Sequence, residues 1–87
     1  VDRGAERAIT ERDKSLLPAG VVSCEGEIAA GDVVRVVTER GEELGRGLSR
    51  YAASELRRIF GMSSPEVEKV LGRPALEVIH RDDLALF

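Results

Sequence analysis

The sequence predicts an α+β domain, mainly β, from three observations. β-branched stretches crowd the middle of the chain and return at its end. Short helical patterns with cap residues stand before and after them. The chain has 87 residues, room for one hydrophobic core, so a single domain over residues 1–87 is expected.

The first element is the stretch GAERAITERD, Gly4 to Asp13. Ala5, Ala8 and Ile9 fall on one face at i, i+3, i+4, as in a short amphipathic helix. DKSLLPAGV follows, a pattern that suits neither helix nor strand. Val21 to Ile28 reads as β, with a bend at Gly26, and Gly31-Asp32 as a turn. Val33 to Val37 reads as a strand, Glu39 to Glu42 as a hairpin turn around Gly41, and Leu44 to Ser49 as the return strand. Gly45 and Gly47 inside that strand mark a bulge or a close backbone approach.

In AASELRRIFG, Ala52, Leu56, Ile59 and Phe60 share a helical face, and Gly61 suits the position past its end. A second helix follows in MSSPEVEKVLG. Ser63 and Glu66 have capping-box spacing, Pro65 lies in the first turn, Gly72 closes the helix, and Val67, Val70 and Leu71 form its buried face. The tail returns to strand, interrupted by the polar cluster His80 to Asp83.

Thirteen basic residues against 16 acidic ones give a net charge of −3. That lacks the basic excess by which nucleic-acid binders neutralise phosphates. The chain has no Asn, Gln or Trp, which removes several base-reading and base-stacking side chains. No apolar run approaches the roughly 20 residues of a membrane span, and no signal peptide is legible at the N-terminus. A lone Cys24 excludes an internal disulfide and fits a reducing cytoplasm.

No motif makes a convincing catalytic or metal site. His80-Arg81-Asp82 copies three letters of the protein-kinase catalytic loop, but that loop needs a downstream Asn and a glycine-rich phosphate cover. One histidine beside two adjacent carboxylates is poor geometry for a shared metal ion, so a turn with a locally satisfied histidine is expected. Cys24 has no neighbouring cation to lower its pKa and reads as a small core residue. The glycines fit neither phosphate-loop nor dinucleotide spacing. Between Arg35 and Arg58, six arginines face Glu39, Glu42, Glu43 and Glu55. That run reads either as a phosphate-facing patch or, by preference, as a solvated mixed-charge face.

Taken in order, GAERAITERDKSLLPAGVVSCEGEIAAGDVVRVV, GRGLSRYAASELRRIFG and VIHRDDLAL resemble the C-terminal PUA domain of bacterial glutamate 5-kinases. The most specific pieces are KSLLPAG, the GD before a valine-rich strand, RGLSRY and IHRDDL. The resemblance implies a PUA-like pseudo-barrel of short mixed strands with peripheral short helices. In it, Leu16 and Leu17 enter the core while Lys14 and Ser15 stay at a polar rim. PUA domains that accompany pseudouridine synthases and archaeosine transglycosylases bind structured RNA through the first helix, the next loop and a neighbouring strand. Carried onto this sequence, the candidate RNA- or partner-binding surface is Arg12, Lys14, Ser15, Pro18, Ala19 and Gly20, with Arg46 and Arg50. YAAS departs from the family pattern, which has serines after the tyrosine, so the start of that helix is weakly capped.

For a parent protein the resemblance implies transfer of the ATP γ-phosphoryl group to glutamate, with magnesium, at the start of proline biosynthesis. ATP, magnesium and catalysis would belong to an amino-acid-kinase domain absent from these residues, which carry no cofactor and no enzyme site of their own. Two functions are then expected. The preferred one is an accessory domain contacting the parent kinase domain or a neighbouring subunit, in the cytoplasm. The other is a module binding structured RNA.

Overall fold

A computed structural model describes residues 1–87. Helix α1 spans Arg3–Arg12. The Asp2 carboxylate caps it by accepting from the Ala5 N–H at 2.8 Å, and Asp13 ends it in the left-handed region at φ 51°. Of the three residues on its expected apolar face, only Ile9 is fully buried. A short 3₁₀ turn, Pro18–Gly20, follows.

Strands β1 (Val33–Val37) and β2 (Glu43–Leu48) form the expected antiparallel hairpin. A second antiparallel pairing adds β3 (Leu84–Leu86), giving the order β1-β2-β3. Register runs from Val33↔Leu48 to Val36↔Gly45, then jumps to Val37↔Glu43, leaving Leu44 as an extra residue in β2. Residues 21–28, expected as a strand, form none. Only a bend at Gly26 survives, and the backbone of residues 22–25 joins no ladder hydrogen bond. Three antiparallel strands and three short helices make the small α+β domain that the sequence predicts.

The two strand glycines are explained by close approach. A Cβ on Gly45 would lie 2.3 Å from the Ala85 carbonyl oxygen and 2.9 Å from the Leu86 Cα. One on Gly47 would lie 2.6 Å from Ile79 Cγ2. The obstruction at Gly45 is backbone, so β3 itself must move. Gly45→Ala is expected to cost about 1–3 kcal/mol, the range for overpacking. Denaturant midpoints check it, and an unchanged midpoint would contradict the packing of β3 on β2.

Helices α2 (Ala53–Ile59) and α3 (Ser64–Leu71) close the core. Ala52 is the N-cap of α2 and has no side-chain acceptor. Only the return half of a capping box forms, from the Ala52 N–H to Glu55 Oε1 at 3.1 Å. That hydrogen bond, assisted by Arg73, holds the Glu55 carboxyl below its ordinary range. Supplying the missing acceptor with Ala52→Ser is expected to stabilise the fold by about 0.5–1 kcal/mol. A rise in Tm of a few degrees is the readout. Helix α3 begins as its spacing predicts: Ser63 donates to Glu66 through both its backbone N–H (3.1 Å) and its hydroxyl (2.9 Å). Phe60, expected on the buried face of α2, lies past its end and is partly exposed.

The core joins Ile9, Leu16, Val21, Val36, Tyr51, Leu56, Ile59, Val67, Val78 and Ile79, drawn from α1, β1, α2, α3 and the segments between them. No helix is long and apolar enough to cross a membrane.

Candidate docking surface

The polar lip after α1 is built by one bridge. The Leu16 N–H donates to the Ile79 carbonyl at 2.9 Å, and the Val78 N–H donates to the Leu16 carbonyl at 2.7 Å. This seats Leu16 in the core and lays residues 13–16 beside 79–81. Ser15 Oγ then accepts from the Arg81 N–H at 2.8 Å, tying the lip to the far end of the sequence.

The residues read as a binding surface divide by role. Arg12 and Lys14 are exposed, and neither is among the residues paired with a carboxylate within 4.0 Å. Ala19 is exposed. Pro18, however, is buried, and its carbonyl accepts from the Gly61 N–H at 2.8 Å and the Val21 N–H at 3.1 Å. Gly20 faces α1: a Cβ there would lie 2.4 Å from the Ala5 Cβ, and its carbonyl accepts from the Asp2 N–H at 2.9 Å. These two shape the turn and offer little surface to a ligand. Leu17, expected in the core, is 51% exposed, because the turn at Pro18 leaves only one of the two leucines facing inward.

Arg50 adjoins the lip. Its N–H donates to the Val78 carbonyl at 2.8 Å, and its guanidinium lies 3.5 Å from Glu77. Arg46 stands elsewhere, 3.7 Å from Glu43 and 5.9 Å from the centre of the Phe87 ring. The same Glu43 lies 3.5 Å from Arg35. Arg40 bonds Glu42 and Glu6 at 3.0 and 3.2 Å, and both carboxylates push its pKa further up, Glu42 foremost. Arg57 and Arg58 donate to the carbonyls of Gly26 and Val70. The arginine run is therefore a surface of internal pairs.

Arg81 belongs to the lip, and sequence reading missed it. The signal was the turn read at His80–Asp83. That turn forms as a 3₁₀ segment, with His80 Nδ1 accepting from the Asp82 N–H at 3.1 Å. Exposed Asp13, Asp82 and Asp83 flank the three lip cations, so the lip carries mixed charge. Lys14→Glu is expected to leave stability within about 0.5 kcal/mol of the parent sequence, as for an exposed, unpaired side chain. A loss several times larger in thermal melts would assign Lys14 a structural role.

Comparison with known proteins places this geometry. A family model described as PUA domain matches residues 1–71. The chain is 54% identical over 87 residues to a glutamate 5-kinase of Thermus thermophilus, covering 99% of this chain and 24% of that protein. A glutamate 5-kinase of Deinococcus radiodurans is 49% identical with the same coverage. One of Syntrophotalea carbinolica is 46% identical, covering 99% of this chain and 23% of the relative. The chain thus spans about a quarter of the length of the curated relatives it matches.

Proposed function

The chain belongs to the PUA domain family, and from that premise we propose that it is the non-catalytic accessory domain of a glutamate 5-kinase. In this reading residues 1–87 form one domain in a cytoplasmic protein, and that domain modulates the activity or assembly of the kinase part. Core positions Val78 and Ile79, beyond the matched residues 1–71, support its extension to the end of the chain.

The observation that carries the reading is the pairing of the central arginines. Arg35, Arg40, Arg46 and Arg50 each lie within 4.0 Å of a carboxylate of this same chain. Phosphate-driven affinity comes from cations free to replace condensed counterions. Cations already held by carboxylates contribute little of it. A protein partner needs no such excess, and the mixed-charge lip of Arg12, Lys14, Ser15 and Arg81 suits a polar protein contact.

ATP and magnesium, which the parent reaction would need, do not fit these residues. Five left-handed glycines (Gly26, Gly31, Gly41, Gly61 and Gly72) sit in separate stretches of the chain and make no single glycine-rich loop. No group of three or more His, Cys, Asp or Glu side chains could hold a metal ion. In the proposal both belong to the kinase part, with the phosphoryl transfer to glutamate.

The second reading, a module for structured RNA, is favoured by Arg12, Lys14 and Arg81, three exposed cations of the lip that have no ion pair. Titrating the 87-residue protein with structured RNA at low and moderate salt separates the two. The accessory reading expects only weak association, no tighter than the roughly 10⁻⁴–10⁻⁶ M of non-specific contacts. Submicromolar binding that loses affinity steeply with salt and is abolished by Lys14→Glu would overturn it.

A further inference from the structure

One edge of the sheet is open, and it lies apart from the lip. The Thr38 N–H donates to the Glu42 carbonyl at 2.8 Å, and the Ser49 N–H donates to the Asp32 carbonyl at 2.9 Å. Strand backbone groups alternate in direction, so Val34 and Val36 turn theirs toward β2, while Val33, Arg35 and Val37 turn theirs away. The Val37 carbonyl accepts there from the Val1 ammonium at 2.8 Å. No other segment bonds the backbone of Val33 or Arg35, or the Val37 N–H. Beside this edge is a cleft of about 790 Å³, flanked on its other side by residues 21–25. The backbone from Val22 to Glu25 likewise makes no backbone hydrogen bond.

We propose that this cleft takes one extended strand of a partner polypeptide, with the local pattern apolar–acidic–apolar, added to the free edge of β1. The occupant must be a polypeptide backbone, because the edge presents donors and acceptors at every second residue, a repeat of about 6.8 Å. Its side chains follow from the faces of β1. Val34 and Val36 point to the core side, where Leu16, Leu56 and Ile79 also line the cleft, so the partner's inward residues are apolar. Arg35 points outward and is exposed. Its only carboxylate, Glu43, is shared with Arg46, leaving one negative charge between two guanidiniums. An acidic residue opposite Arg35 completes that balance. Apart from Arg35, the edge lacks the usual guards against strand addition, since β1 has no proline or lysine and the extra bulge residue lies in β2.

The test is amide exchange on the 87-residue protein with a capped pentapeptide of alternating threonine and valine, glutamate at its centre. Saturating peptide is expected to raise protection at the Val33, Arg35 and Val37 amides by about tenfold or more, leaving Val34 and Val36 unchanged. N-methylating the peptide's edge-facing amides is expected to abolish the effect. Arg35→Glu is expected to transfer the preference to a peptide with lysine at its centre. Four results would each overturn the proposal: no protection at millimolar peptide; equal response to glutamate and lysine peptides; outward amides already protected in the dilute free protein, which would assign the edge to residues 21–25; or protection that grows with protein concentration alone, which would assign it to a second copy of the chain.

Discussion

Tyr51→Ala is expected to destabilise the fold by about 3–5 kcal/mol, the cost of removing a large buried aromatic side chain. Tyr51 is 0% exposed and packs among the ten residues of the core cluster. Its hydroxyl is held by a single residue, Leu76: it accepts from the Leu76 N–H at 2.7 Å and donates to the Leu76 carbonyl at 3.2 Å. Ser49 adds a local bond, its hydroxyl donating to the Tyr51 carbonyl at 2.7 Å. Tyr51→Phe keeps the packing but leaves both Leu76 groups without their partner, for an expected loss of about 1–3 kcal/mol. Equilibrium denaturation separates the two. Equal losses for Phe and Ala would mean that the hydroxyl carries the whole effect.

The second large effect distinguishes two adjacent leucines. Leu16→Ala is expected to cost about 2–5 kcal/mol, as for a buried leucine. Leu16 is 4% exposed and sits at the bridge to Ile79. Leu17→Ala is expected to stay within about 0.5 kcal/mol, as for a surface site. Measured midpoints that fall equally would place both side chains in the core and contradict the path of the chain through Pro18.

These leucines also show where sequence reasoning stops. Pattern and caps located α1, α2, α3 and the β1–β2 hairpin within a residue or two, because each is decided by neighbours three to six positions away. The glycines of β2 announced a close approach, though only the folded chain shows that β3 and Ile79 are what approach. Residues 21–28 have β-prone composition, yet a strand needs a partner at ladder distance, which local sequence does not encode. Likewise, Leu-Leu before a proline says that something is buried; which leucine it is depends on the bridge to Ile79, 63 positions away by number (79 − 16).

The candidate surface was legible in part. The sequence places Lys14 and Ser15 at the rim of the turn, and Ser15 bonds the Arg81 N–H there. The sequence sets Pro18 and Gly20 on the same surface, whereas in the fold they fit the turn against Gly61 and α1. The charge run could not reveal its own neutralisation. Arg40 meets Glu6 across 34 positions and Arg50 meets Glu77 from a separate stretch of the chain, pairings that only the fold creates.

The most direct test grafts this chain onto a longer relative. In the Thermus thermophilus glutamate 5-kinase, the segment matching this chain is deleted in one variant and replaced by residues 1–87 in another. Activity, magnesium dependence and subunit number are measured for both. The account predicts that deletion alters at least one of the three and that replacement restores it. Deletion that changes none of them, or replacement that restores nothing while the hybrid folds, would contradict it.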